Sequence, residues 1–169
     1  MSGRDEIIDI LRKAYQIEVD GYTFYSMTAE RADKSAVQEL FGRLAQDEVQ
    51  HQAFLKSVLK NYDEKGIGAF SVGIKVPDLH AFVEKVFTER FREQAEGAQF
   101  EMAALSVGMT LEKNAVAYFS GAARNASEAE VRDFYRYLAD WEQQHLDALA
   151  GLHETIRGDF WDRGGFSPY

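Results

Sequence analysis

The chain has 169 residues, 46% hydrophobic and 28% charged, which suits a single soluble helix-rich domain with its own core and excludes a disordered or fibrous chain. It contains no cysteine, which excludes disulfides, zinc–thiolate sites, thiol catalysis and cysteine-ligated iron. A formal net charge of -9 sets the surface against nucleic acid and anionic membranes and draws metal cations toward it.

The opening stretch MSGRDEIIDI has neither a basic segment followed by an apolar run nor a small-residue cleavage site, so a cytoplasmic address is expected. No apolar run approaches membrane-spanning length. A first helix is predicted from after Ser2 to about Glu30, with Ile7, Leu11, Ala14, Gly21, Tyr25 and Thr28 on one stripe and Glu18 interrupting it. A second begins near Asp33 or Ser35 and carries Val37, Phe41, Leu44, Leu55, Val58 and Tyr62, with Glu48 and His51 on the same stripe. A connection from about Asp63 to Val76 follows. Pro77 and Asp78 then open a helical stretch that bends near Gly97 and continues to about Ala123, with the stripe Leu105, Gly108, Glu112, Ala115, Phe119 and Ala122. The last helix starts from Ser127, with Glu130 three residues on as a capping box, and runs through Val131, Tyr135, Leu138, Leu149, Leu152 and Ile156. Glu142 and His145 interrupt that stripe.

The predicted fold is all-α. Short turns after the first and third helices force antiparallel hairpins, while the long connection between helices two and three is enough to cross the length of a bundle. The expected architecture is an antiparallel four-helix bundle over residues 1–157 with one long crossover, followed by a glycine- and aromatic-rich tail at 158–169.

An internal repeat ties the two hairpins together. The offsets 112 − 18, 142 − 48 and 145 − 51 all equal 94, without a gap. Neighbours agree: Ile17 matches Leu111, Leu40 and Phe41 match Phe134 and Tyr135, and Leu44 matches Leu138. Two copies of one hairpin about an approximate two-fold axis place both polar sets at one level of the core.

Glu at i and His at i+3 lie on one helix face and can reach one metal ion from a rigid element. Two such pairs occur, Glu48 with His51 and Glu142 with His145. With 16 glutamates and 4 histidines, chance supplies roughly 0.4 such pairs, and neither pair would carry much alone. Their register is the stronger signal, because both pairs and both single glutamates replace apolar residues on core stripes, where an uncompensated carboxylate is expensive. Two divalent cations neutralise four carboxylates, and mixed oxygen and imidazole ligation suits iron, or manganese, over calcium. The alternative is a hydrogen-bonded or surface-facing set.

These segments, IEVDGYTFY, DEVQH, TLEKNAVAYF and WEQQH, resemble the ferritin-like superfamily of di-iron carboxylate proteins and most closely its rubrerythrin-like members. The resemblance implies two iron ions, one served by Glu18, Glu48 and His51, the other by Glu112, Glu142 and His145, with Glu48 and Glu142 shared. It also implies catalysis through those six residues: oxidation of ferrous iron by peroxide or dioxygen, with re-reduction by an external electron-donor protein. The chain departs from the pattern in two ways. Met109 and Ala115 flank Glu112 where many rubrerythrins carry an additional carboxylate, and a chain without cysteine cannot build a rubredoxin domain. A storage subunit that binds iron without turnover, or a structural helical module, is the alternative role, and a homo-oligomer, dimer or larger, is expected. Tyr25, two turns after Glu18, is placed either to hydrogen-bond a ligand carboxylate or pass an electron, or to act as a plain core aromatic. His80 is read as solvated and His153 as structural; Asp47 and Asp140, beside the paired residues, are read as surface charge, the alternative being that they orient a histidine of a neighbouring helix.

Overall fold

The computed structural model describes residues 3–66, 69 and 99–163. They form four helices: α1 (Gly3–Arg31), α2 (Ser35–Lys65), α3 (Gln99–Asn125) and α4 (Ala129–Arg163), with no strand among the described residues. The four-helix bundle expected from the apolar stripes is therefore what the chain forms. Most of the predicted crossover, the bend near Gly97 and His80 lie outside the described residues.

Three residues, 32–34, turn α1 into α2, and 126–128 turn α3 into α4, so each pair is an antiparallel hairpin. The first turn is closed by Gln38, whose side chain donates to the Ala32 carbonyl at 2.6 Å while its backbone N–H donates to Lys34. Helix α2 starts at Ser35 after an extended Lys34. It ends where Gly66 takes φ 57°, the left-handed region that glycine enters without steric penalty, and sends its N–H back to the Tyr62 carbonyl. Helix α4 departs from expectation at both ends. It begins at Ala129, with Glu128 accepting from the Arg132 N–H, one residue later than a Ser127 cap would set it. It then continues to Arg163, into the segment read as a tail.

Helices α1 and α3 run in opposite directions, since Ile7 and Ile10 face the end of α3 while Tyr25 reaches Glu112. The core divides into two apolar clusters. One holds Leu11, Ala14, Leu55, Val58, Phe119, Tyr135 and Leu138; the other holds Tyr25, Leu40, Phe41, Leu44, Leu105 and Leu149. On every helix the polar positions fall between them: 18 between 14 and 25, 48 and 51 between 45 and 54, 112 between 105 and 115, 142 and 145 between 141 and 148. A polar layer thus crosses the middle of the bundle, walled above and below by close-packed hydrocarbon.

Candidate metal centre

All six polar stripe residues are buried: Glu18, Glu48, His51, Glu112, Glu142 and His145 are each at most 4% exposed. The fold brings them to one point. His51 Nδ1 lies 3.0 Å from Glu18 Oε2, 3.2 Å from Glu48 Oε2 and 3.7 Å from Glu142 Oε1. His145 Nδ1 lies 3.4 Å from Glu48 Oε1, 3.5 Å from Glu112 Oε1 and 3.8 Å from Glu142 Oε2. The two sets are images of each other under the 94-residue repeat. Each shared glutamate turns one oxygen to each histidine. The donor atoms form two groups, Glu18, Glu48, His51 and Glu142 on one side and Glu48, Glu112, Glu142 and His145 on the other, each with its atoms within 4.8 Å of one another.

The same residues leave donor capacity unused. Glu18 Oε1, Glu48 Oε2, Glu142 Oε1 and His145 Nδ1 are buried without a hydrogen-bond partner. Buried polar atoms are normally satisfied, and four orphans in one layer form a set that divalent cations would satisfy. Hard carboxylate oxygens with one imidazole per group suit a divalent transition metal, so the residues fit the two-cation expectation.

Comparison with protein families matches residues 9–153 to Rubrerythrin. The chain belongs to the rubrerythrin family. Neither the comparison with curated proteins nor that with solved structures returns a match.

In this rubrerythrin-family chain the electrostatics follow from burial. Burial pushes the Glu18 carboxyl up to about 8 against the opposing pull of His51, and it drives Glu142 well above the carboxylate range with help from the Glu18, Glu112 and Glu48 charges. Glu48 is raised too, burial outweighing His145. For Glu112 burial is again the largest influence, but hydrogen bonds from and the charge of His145, joined by Glu142 and Tyr25, outweigh it and hold the group low. Burial disfavours the His145 imidazolium, yet Glu48 and Glu112 carry its pKa well above the ordinary value. Burial thus favours the protonated forms of Glu18, Glu48 and Glu142, while Glu112 is held low beside His145.

Tyr25 is fully buried and its hydroxyl donates to Glu112 Oε1, so it meets a ligand-type carboxylate on α3, across the bundle from its own Glu18. Its repeat mate Phe119 has no hydroxyl and cannot do the same for Glu18. Gly21 makes room for the Glu48 carboxylate: a Cβ there would stand 2.8 Å from Glu48 Oε1, so the carboxylate would have to shift. Beside it, between α1 and α3, a cavity of 270 Å³ reaches Glu48, Glu112 and Glu142. Its walls pair under the repeat, Ile17 with Leu111, Asp20 with Asn114 and Gly21 with Ala115, so it straddles the two-fold axis. Ala115, three residues after Glu112, is small and leaves part of this space open.

Two residues escape sequence reasoning. Asp47, read as surface charge, is 4% exposed and pairs with Arg43 at 3.2 Å one turn earlier; the Arg-x-x-x-Asp spacing was the available signal. Trp141, directly before Glu142, stacks on the His51 imidazole at 3.9 Å between centroids. Asp140 is exposed, and His153, partly buried beside Glu154, stays outside the cluster.

Proposed function

We propose that this chain is a di-iron protein that reduces peroxide or dioxygen, with Glu18, Glu48, His51 and Glu142 holding one iron and Glu48, Glu112, Glu142 and His145 the other. The observation that carries this reading is the sharing of Glu48 and Glu142, each with one oxygen toward each histidine. Two ferrous ions together supply the two electrons that peroxide needs. Manganese fits the same donors, and elemental analysis distinguishes them.

The chain's own part is placement and exclusion. Six donors on four packed helices fix the ions with little freedom to lose. Leu44 and Leu138, both fully buried, close the layer against water along the bundle axis, so a small oxidant is left the sideways route through the cavity between α1 and α3. Tyr25 donates to the same Glu112 oxygen that His145 approaches and keeps that carboxylate oriented.

No cysteine is present to hold an electron-delivering iron, so reduction comes from a separate electron-donor protein. The test is stopped-flow absorbance of ferrous-loaded protein prepared without air. One rapid turnover with peroxide or dioxygen is expected, then arrest until a rubredoxin-like donor is supplied. Sustained turnover with NADH alone, or no oxidation by either oxidant, contradicts the proposal.

A further inference from the structure

The 94-residue repeat offers an internal comparison of the ground behind each histidine. Trp141 corresponds to Asp47 and Tyr137 to Arg43. In the first hairpin these positions form an ion pair, Arg43 Nε to Asp47 at 3.2 Å. In the second they form an aromatic pair with ring centroids 4.8 Å apart. Trp141 is buried at 4% exposure and lies nearly parallel to the His51 ring, 3.9 Å away and tilted by 10°. Tyr137 is half-buried on α4. An unbroken run of π-systems therefore leads from His51 outward to a ring that meets solvent, and the other half of the molecule has nothing comparable at the related positions.

We propose that Trp141 and Tyr137 form a one-electron path between the His51 half of the centre and the surface of α4, a proposal that rests on the iron-redox reading above. Indole and phenol are the most readily oxidised side chains this cysteine-free chain can place there, and direct ring contact couples them electronically. The Arg43–Asp47 ion pair offers no such state. In each transfer a one-electron donor at the surface would be oxidised; the first electron would reduce the ferric ion on the His51 side to ferrous, and the second would be passed on to the ferric ion on the His145 side. Two transfers would supply the two electrons that, with two hydrogen ions taken up from the buffered solvent, convert one peroxide to two waters. When no donor is present and peroxide is in excess, peroxide is the oxidant: at a centre with one ferrous ion left it would take one electron from that ion and the second from Tyr137, take up one proton from solvent and the phenolic proton, and leave as two waters, with Tyr137 remaining as a neutral radical.

That last state makes the path visible without measuring turnover. Iron-loaded protein is treated with excess hydrogen peroxide and a nitroso spin trap, and adducts are mapped by peptide mass spectrometry. Adducts are expected on Tyr137 and Trp141 and in neither position in metal-free protein. Trp141→Phe, which keeps a ring against His51, lowers the Tyr137 adduct about tenfold, and Tyr137→Phe shifts the adduct to Trp141. In parallel, ascorbate re-reduces the ferric centre about tenfold more slowly in Trp141→Phe at unchanged iron content. Equal Tyr137 adducts and equal re-reduction rates in wild type and Trp141→Phe would overturn the path, as would adducts confined to Trp161 or Tyr25. Absence of bound iron would overturn the functional reading and the path together, whereas bound iron with no adduct on α4 overturns the path alone.

Discussion

Glu48 and Glu142 each divide their two oxygens between His51 and His145, so losing one of them is not equivalent to losing a histidine. Glu48→Ala is expected to reduce bound metal by more than one ion per chain, and His51→Ala by about one, as measured by equilibrium dialysis with elemental analysis. Equal losses would remove the shared role from Glu48. Gly21→Ala isolates a subtler effect: the new Cβ meets the mobile end of Glu48, so the helix tolerates it, but the carboxylate must move. Stability of the metal-free protein should stay within ~1 kcal/mol while metal affinity falls about tenfold or more, read by a competitive chelator titration. At this scale the buried cluster of six residues is legible in the sequence because each replaces an apolar residue on an otherwise apolar stripe. The Trp141–His51 stack is not, since a tryptophan on an apolar face looks like any core aromatic until the partner helix is placed. Asp47 is misread because a charged residue on a helix looks solvated until its burial is known.

Helices α1 to α4 are legible because apolar residues recur at helical spacing over many turns and the offset of 94 fixes how the hairpins register. Their ends are less so. Ser127 and Glu130 have the residue types of a capping box, yet α4 begins at Ala129, and the polar, glycine-containing stretch after Ile156 hides the continuation of the helix to Arg163. Leu44 and Leu138 are repeat mates with no exposed surface, one in each apolar cluster. Truncation to alanine at either site should destabilise the metal-free protein by about 2–5 kcal/mol in denaturant melts, and the two losses should be of similar size. A loss below ~1 kcal/mol at either position would contradict the close packing of that layer.

For the whole molecule, the buried layer links stability to pH. The pKa of Glu18 is raised to about 8, and those of Glu48, Glu142 and His145 are raised as well, so the folded metal-free protein binds protons that the unfolded chain releases. Their contribution is fully present below the unfolded values and is lost as pH rises through the folded ones. Glu112, held low, acts the opposite way and only under acidic conditions. The thermal midpoint of metal-free protein should therefore fall by ~4 °C or more between pH 5 and pH 8, since each 1 kcal/mol moves it by about 2–4 °C at this size. Metal-loaded protein should lack that decline, because the cations displace the protons. Calorimetry with and without chelator checks both. The gap-free repeat has a last consequence for how the molecule is held together. Glu18, Glu48 and His51 belong to the first hairpin and Glu112, Glu142 and His145 to the second, so each ion would be a rivet driven through the seam between two half-molecules. A chain cut between residues 66 and 99 would yield two fragments of nearly matching design, each carrying half a socket, and iron would decide whether they stay in company.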